Sequence, residues 1–435
     1  MVLQLSFQVA NIVAVSHLGA KKLAAMSFAI TSQGIFVFGP IFGLLSAMDT
    51  FCSNAYTASH DKTLVGLYLQ RGIIAVCAYF ALSSPILWNF EKLLLLIGQD
   101  PEIAQLTGLY LRINLPGMLP FALFETMKRY LQAQGIMHAA TIVLIVVAPI
   151  SWLSNFLLVR SPTYGVGFIG APLVNVITNY LTFIVILIYA RKSRAIEAWG
   201  GWTVSAFYNM SAFYRLAIPS VITVCAESIC FELLTVGASY FGANQIAGQL
   251  IILNSIRIIV LFSDGLGFGT SPRVGNLIGA AKPRQAHIAG DMAILASSFV
   301  GVMGTLFLVL FGDWWVSIYT VDPAVARESA KLIPVACIFI ISHGMNVVFS
   351  AILRGLGRQK ASANSFLFGF YVCAIPLGIY LGYIRHMEAL GLWWGVCIGV
   401  LVSSTLQIVY VYWWIDWKDE VRLCLLRLNR NSRFS

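Results

Sequence analysis

Charged residues are scarce in this chain of 435 residues. They make up 11% of it, whereas about 25% is usual for a soluble protein. Hydrophobic residues account for 59%, and the mean hydropathy is +0.81. A soluble protein of this length needs charge to cover its surface, so lipid must cover this one instead. The shortage of charge excludes a cytosolic enzyme, a disordered scaffold and a secreted disulfide framework.

Motifs for metal, nucleotide or hydrolytic chemistry are missing as well. No HExxH, GxSxG or GxxxxGK[ST] stretch occurs, so ATP-driven transport has no support in the sequence. The eight cysteines form no CxxC pair, and most lie in apolar runs, so we interpret them as small buried hydrophobic residues. The six histidines show no metal-ligand spacing. The sequence predicts neither a cofactor nor a metal site.

Apolar runs of membrane-spanning length recur along the whole chain. A spanning helix needs about 20 apolar residues, and backbone polar groups in lipid must be satisfied within the segment. Nine such runs are uncharged: 23–48, 72–90, 130–159, 161–190, 233–256, 292–312, 332–353, 361–384 and 389–415. Two more spans, 104–127 and 214–239, contain ionisable residues, and an apolar start at 2–16 adds a short one. We therefore predict an all-α, polytopic membrane protein with about twelve transmembrane helices.

An internal repeat suggests two halves. The stretch LQAQG at 131–135 falls on LRGLG at 353–357, and 17–31 resembles 240–254 at nearly the same offset. We interpret the repeat as two six-helix lobes related by a pseudo-two-fold axis along the membrane normal. The predicted segments are an amino-terminal lobe at 1–190 with a truncated first helix, a cytoplasmic linker at 191–213, a carboxyl-terminal lobe at 214–415 and a basic cytoplasmic tail at 416–435.

The basic residues indicate the topology. With odd-to-even loops outside, nineteen Lys and Arg residues fall on the inner side and eight on the outer side. Cytoplasmic loops carry this excess, so we expect both termini in the cytoplasm, at the plasma membrane or the vacuolar membrane. The same rule explains the net charge of +10 without a nucleic-acid partner.

Ten stretches carry a resemblance to a known family. They are HLGAKKLAA at 17–25, GLLSAMDTFCSNAYTA at 43–58, LYLQR at 67–71, GQDPEIA at 98–104, WGGW at 199–202, YRLAIPS at 214–220, AESICFELL at 226–234, PRVGNLIGAAKPRQA at 272–286, ILRGLGRQKASA at 352–363 and WKDEV at 417–421. In this order and over nearly the full length, the chain resembles multidrug and toxic compound extrusion (MATE) transporters, specifically the eukaryotic branch. The resemblance implies an antiporter that expels organic, often cationic compounds in exchange for protons, driven by the proton gradient. We expect it to be a monomer.

Glu227 is the leading candidate for coupling, because it lies mid-span among apolar residues. Carboxylates inside spans are costly and usually functional, and burial favours the protonated form until a cation approaches. The resemblance implies an essential carboxylate here, in the pattern E-x-x-x-x-E; a structural hydrogen bond is the alternative. Glu232 completes the pattern about 140° around the helix, so it either lines the cavity or braces a neighbouring helix.

Two positions depart from the resembled family. Its eukaryotic members usually have Asp or Glu eleven residues before the Arg of the LRG motif, where this chain has His343 before Arg354. A protonated His343 would repel a cation, and a packing role for it stays equally open. Asn254 lies where animal members have Glu, although plant-like members also carry Asn. Asn346, one turn beyond His343, is expected on the same wet face.

The remaining candidates line the predicted cavity or stabilise it. Arg257 and Asp264 lie seven residues apart on one helix face, and we expect them to pair with each other or with Glu232. Tyr371 offers an aromatic face to a flat cation, or packs. The first span has no acidic residue, so the amino-lobe proton site of bacterial relatives is absent and coupling rests on the carboxyl-terminal lobe.

The leading interpretation is a proton-coupled efflux antiporter that works by alternating access between two lobes. A flippase for lipid-linked precursors has the same fold superfamily, but it needs a strongly basic cavity, and only Arg257 lies mid-membrane. A membrane transferase with His343 as base lacks a second catalytic partner by spacing. A non-transporting relative is the last alternative.

Overall fold

The computed structural model describes residues 2–161 and 165–432, with side chains described for 3–161 and 165–428. These residues form helices and turns. The helices are α1 (Val2–Ser16), α2 (Ala20–Ala58), α3 (Thr63–Trp88), α4 (Pro101–Ala133), α5 (Ala139–Arg160), α6 (Gly167–Lys192), α7 (Met210–Ser239), α8 (Ala243–Gly279), α9 (Pro283–Tyr319), α10 (Pro323–Leu356), α11 (Gln359–Ile384), α12 (Glu388–Trp414) and α13 (Trp417–Ser432). A short helix, Phe90–Leu96, lies between α3 and α4.

The number of spans is consistent with helix length and hydropathy. Ten helices, α2, α3 and α5 to α12, are long and apolar enough to cross a membrane. Helix α1 is apolar but has only 15 residues, and α4 has 33 residues that include Arg112 and Glu125. Counting both gives twelve candidate spans, α1 to α12, in the described part of the chain, which confirms the all-α fold with about twelve transmembrane helices.

Helix ends are set by local side-chain and backbone chemistry. Asp100 and Asp322 precede Pro101 and Pro323, and each carboxylate accepts a hydrogen bond from a backbone N–H in the first turn, at 2.8 Å. Proline is favoured there because its missing N–H has no partner inside the helix. At the other end of α10, Gly357 has φ 74°, the left-handed conformation that favours glycine and ends the helix.

The chain divides into two compact units, and the first of them ends at Tyr214. Its buried charges are paired. Arg129 of α4 donates to Asp49 of α2, and Lys128 lies 2.5 Å from Glu125, whose side chain is fully buried. Gln4 of α1 donates to the other oxygen of Glu125 at 2.9 Å. Since a lone buried charge is strongly destabilising, these contacts fix α1, α2 and α4 against one another.

The second unit begins at Arg215, and its core surrounds the fully buried Trp393 of α12. Glycines let α11 and α12 pack backbone to backbone. A Cβ added at Gly395 would lie 2.5 Å from the Cα of Gly378, and one added at Gly391 would lie 2.5 Å from the nitrogen of Gly382. No larger side chain fits there, so the glycine spacing along α12 sets the distance between the two helices.

The tail predicted at 416–435 includes a folded helix, α13, which packs against the second unit. Its Glu420 is 2% exposed and lies 2.7 Å from a guanidinium nitrogen of Arg358 and 3.5 Å from one of Arg427. Arg427 also donates to the carbonyl of Leu356 at the end of α10, at 2.8 Å. Burial lowers the pKa of Arg427 and raises that of Cys424 to about 11. Helix α13 is therefore attached by buried polar contacts as well as apolar ones.

Candidate functional site

Glu227 and His343 meet in the second unit. The Nε2 atom of His343 on α10 lies 3.0 Å from Oε1 of Glu227 on α7. The His343 side chain is 12% exposed and that of Glu227 is 32% exposed, so the carboxylate can still be reached while the imidazole is covered. The contact thus joins Glu227 of α7 to His343 of α10, the residue that stands where the resembled family usually has Asp or Glu.

Aromatic side chains hold the imidazole in place. His343 packs on the ring of Phe339, one turn earlier on α10, with the centroids 5.1 Å apart. Phe339 in turn contacts Trp393 edge-on at 5.9 Å and Phe231 at 6.0 Å. Within the described residues, Nδ1 of His343 is buried and has no hydrogen-bond partner. If Glu227 is ionised and accepts from Nε2–H, the lone pair of neutral His343 is on Nδ1, where a proton can add.

Asp264 of α8 belongs to the same region. A Cβ added at Gly344 would lie 3.0 Å from Oγ of Ser263, so α8 and α10 touch at these two positions, next to Asp264 and His343. Asp264 also lies within electrostatic range of both His343 and Glu227. The structure therefore brings together three of the predicted residues.

Three other predicted residues make no hydrogen bond or ion pair with this group in the described part of the chain. Glu232, Asn254 and Arg257 are all exposed within their unit. The expected pairing of Arg257 with Asp264 or Glu232 is wrong, because the ion pairs found among the described residues include neither contact within 4 Å. Seven residues correspond to a rise of about 10 Å along a helix, which is more than an Asp and an Arg side chain on one face readily bridge.

The last two predicted residues brace the site. Asn346 is 6% exposed and donates to Oγ of Ser403 on α12 at 2.8 Å, so it ties α10 to α12 and does not lie on an open face. The hydroxyl of Tyr371 donates to the carbonyl of Ala226 at 3.0 Å and so holds α11 against the residue that precedes Glu227. Tyr371 lies in a π-helical turn of α11.

Sequence reasoning missed a polar cluster in the first unit. Asn11 of α1 donates to Asn175 of α6 at 3.0 Å and to the carbonyl of Ala171 at 3.3 Å, and Asn175 donates to the buried hydroxyl of Tyr110 at 2.8 Å. Isolated Asn residues within apolar spans were the available signal, because they need partners in lipid. All members are neutral, so the cluster lacks the carboxylate that would carry a proton.

Metal ligands do not cluster in the described residues, where no group of three or more His, Cys, Asp and Glu side chains could hold an ion. The chemistry available at the site is therefore that of two carboxylates and one imidazole beside an apolar wall. Such a group can take up and release protons, and it can attract a cation.

Comparisons with known proteins give one consistent result. The sequence profile of the MatE family matches residues 1–157 and 219–380. An uncharacterised transporter of Schizosaccharomyces pombe is 32% identical over 97% of this chain and 78% of its own length. Multidrug and toxin extrusion protein 1 of Xenopus tropicalis is 31% identical over 92% of this chain and 70% of its own length.

Solved structures share the fold. The crystal structure of the eukaryotic MATE transporter AtDTX14 has a TM-score of 0.90 and 24% sequence identity, and the match covers 100% of this chain and 95% of that one. The Vibrio cholerae MATE transporter VcmN in its bent form has a TM-score of 0.83, with 16% identity over 98% and 94% of the two chains.

Proposed function

Since the chain belongs to the MatE family of membrane transporters, which are not enzymes, we propose that it exports organic cations in exchange for protons by alternating access. The names of its relatives in frog, mouse and human, multidrug and toxin extrusion proteins, support xenobiotic compounds as the substrates. The observation that carries the proposal is the contact between Glu227 and His343, since it places titratable groups inside an apolar helix pair.

The proposed exchange follows from charge. With its proton released, Glu227 is negative and attracts a cation from the cytoplasm. After the site opens outward, protons bind to Glu227 and His343, remove the negative charge and add a positive one, so the cation leaves. When the site faces the cytoplasm again the protons dissociate, and the proton gradient thereby drives export.

The negative charge of the side chains at the site argues against a lipid-linked phosphate as the substrate. A phosphate headgroup needs a cluster of basic side chains, whereas this region holds Glu227 and Asp264, and the exposed Arg257 makes no ion pair with either of them. An organic cation suits the two carboxylates, and the aromatic wall of Phe339 and Phe231 is adjacent.

Uptake into acid-loaded proteoliposomes tests the proposal. We expect wild-type protein to exchange internal protons for external tetraethylammonium. The uptake rate of Glu227→Gln should be at least about tenfold lower, because Gln keeps the size of Glu227 but cannot ionise. Asp419→Asn, which removes an exposed carboxylate from α13, is the matched control and should transport normally. Wild-type rates from a normally inserted Glu227→Gln protein would refute the proposal, and no transport by wild-type protein would favour a non-transporting relative.

A further inference from the structure

Two helices of the second unit, α8 and α10, pack side by side along small residues. A Cβ added at Gly267 would lie 2.8 Å from Val347, and one added at Gly355 would lie 2.7 Å from the carbonyl oxygen of Ser271. Together with the contact between Ser263 and Gly344, these positions rise together along both helices, so the helices run parallel. Ser263 also shares a hydrogen bond of 3.3 Å with Ser297 of α9, which fixes α8 at this level.

This packing places Asp264 and His343 on the same side of the seam. Each residue turns a helix by about 100°, in the same sense on both helices. Consider two parallel helices that touch at one residue each. The residue that follows the contact on the first helix and the residue that precedes the contact on the second helix then point to the same side of the seam. Asp264 follows Ser263 and His343 precedes Gly344, so both side chains leave the seam toward the side on which His343 meets Glu227.

Asp264 differs from Glu227 in having no partner. Glu227 already accepts from His343, whereas Asp264 makes no hydrogen bond or ion pair with any described residue. It is only partly buried, and its oxygens are not among the enclosed polar atoms. An unpaired carboxylate within a membrane span is costly and is retained where it binds a proton or a ligand.

We infer that Asp264 is the carboxylate that contacts the substrate cation, and that it takes over on α8 the role of the acid that the resembled family places on α10, where this chain has His343. In this arrangement Glu227 and His343 form a pair that exchanges protons, and Asp264 adds a second negative charge that contacts the substrate. With His343 neutral and both carboxylates ionised, the three side chains carry two negative charges, which attract an organic cation. After protons bind to Glu227 and His343, the net charge of the three side chains is zero and the cation leaves. The inference rests on the proposed function and assigns its substrate-binding residue.

Groups on the elements packed around the three side chains do not supply this charge. On the neighbouring elements, Cys230 of α7 lies within electrostatic range of Glu227 and Ser297 of α9 lies beside Gly344. Tyr371 of α11 donates to the carbonyl of Ala226, and Trp393 of α12 packs against Phe339; none of these four is a carboxylate. Arg354 of α10 is a base within electrostatic range of Asp264, three turns from His343. A loss of cation affinity on removing Asp264 would therefore not be masked by another carboxylate from these elements.

Substrate affinity in proteoliposomes is the first test. We expect Asp264→Asn to raise the KM for tetraethylammonium at least tenfold, while Asp264→Glu stays within about threefold of wild type, because it keeps the charge. The double variant Asp264→Asn with His343→Asp moves the acid to α10. Its KM should be at least fivefold lower than that of Asp264→Asn alone, which a purely structural role of Asp264 would not allow. A normal KM for Asp264→Asn beside an inactive Glu227→Gln would overturn this inference and leave the proposed function intact, whereas normal transport by both variants would overturn both.

Chemical labelling of the wild-type protein covers the case in which Asp264→Asn does not fold. Dicyclohexylcarbodiimide reacts with protonated carboxyl groups in apolar surroundings, and peptide mass spectrometry locates the adduct. We expect saturating tetraethylammonium to reduce labelling of Asp264 at least fivefold, whereas an equal concentration of sodium chloride, as the control, should leave it unchanged. Labelling of Asp264 that the cation does not reduce would contradict the inference.

Discussion

At the scale of single residues, the imidazole of His343 changes what the site can do. A carboxylate at this position would lose its negative charge on protonation, whereas histidine gains a positive charge. Low pH lowers the affinity for a cation in both cases, but with histidine it does so by repulsion. Since Nε2 faces Glu227 at 3.0 Å, the positive charge forms within one hydrogen bond of the coupling carboxylate. In the proposed exchange, proton uptake by His343 therefore repels the cation directly.

The pH profile of affinity tests this role of His343. We expect the wild-type KM for tetraethylammonium to increase from about pH 8 to about pH 5.5, because a protonated imidazole repels the cation. His343→Asn should show a flatter profile, and His343→Asp should bind the cation more tightly with its optimum shifted to lower pH. Superimposable profiles of the three proteins, all inserted in normal amounts, would mean that His343 only packs.

The sequence indicates which residues matter here but not which residues they contact. Glu227 and His343 stand out because ionisable groups in apolar spans are rare, which is a property of one helix at a time. The contact between them, and the side of the seam on which Asp264 lies, depend on the register of α7, α8 and α10. That register is set by small residues such as Gly344 and Gly267 meeting across helices, and no local pattern in a single sequence encodes it.

At the scale of helices, the backbone contact between α11 and α12 predicts a large effect from a small substitution. Gly395→Ala would place a methyl group 2.5 Å from the Cα of Gly378 and 2.6 Å from the carbonyl oxygen of Ala374, so the helices must separate. Overpacking of this kind costs about 1–3 kcal/mol, and we expect a lower midpoint of thermal unfolding in detergent. Gly265→Ala on α8 meets nothing within 4 Å and should leave the midpoint unchanged or raised; equal midpoints for the two variants would contradict the packing.

Helix α13 yields a second prediction at this scale. Cys424 is 1% exposed, and burial raises its pKa to about 11, so near neutral pH it is a covered, protonated thiol that reacts slowly with maleimide. Glu420→Ala leaves Arg358 and Arg427 without their shared carboxylate, so α13 should detach more often and Cys424 should react at least about tenfold faster. Asp419→Ala removes an exposed neighbour and should not change the rate; the same result for Glu420→Ala would show that the ion pairs do not hold α13.

Spans and helix ends are predictable from the sequence, whereas the docking of α13 is not. Long apolar runs and the Asp–Pro pairs at Asp100 and Asp322 are local signals, and the structure follows them. The sequence predicts the tail only as a basic segment, although Glu420, Cys424 and Leu428 recur at the helical interval of four and form the buried face. The charge on Glu420 obscures this pattern, since its burial depends on Arg358, which lies far away in the sequence.

At the scale of the whole molecule, the excess of Lys and Arg predicts the orientation in the membrane. We propose that the segment between α6 and α7 and the carboxyl-terminal tail both lie in the cytoplasm, because nineteen basic residues fall on that side and eight on the other. Single cysteines introduced into a cysteine-free background at exposed Glu197 and Lys418 should react with a membrane-impermeant maleimide only after the cells are permeabilised. Labelling of either position in intact cells would contradict the twelve-span topology.

Coupling between the two fluxes shows whether this chain exchanges organic cations for protons through Glu227. Purified protein is reconstituted into vesicles that contain a pH-sensitive dye, with no initial pH gradient, and tetraethylammonium is added outside. Influx of the cation should drive protons out and raise the internal pH with wild-type protein, and Glu227→Gln should give no change although it inserts normally. Cation uptake that leaves the internal pH constant, or an equal pH rise with Glu227→Gln, would contradict proton exchange through Glu227.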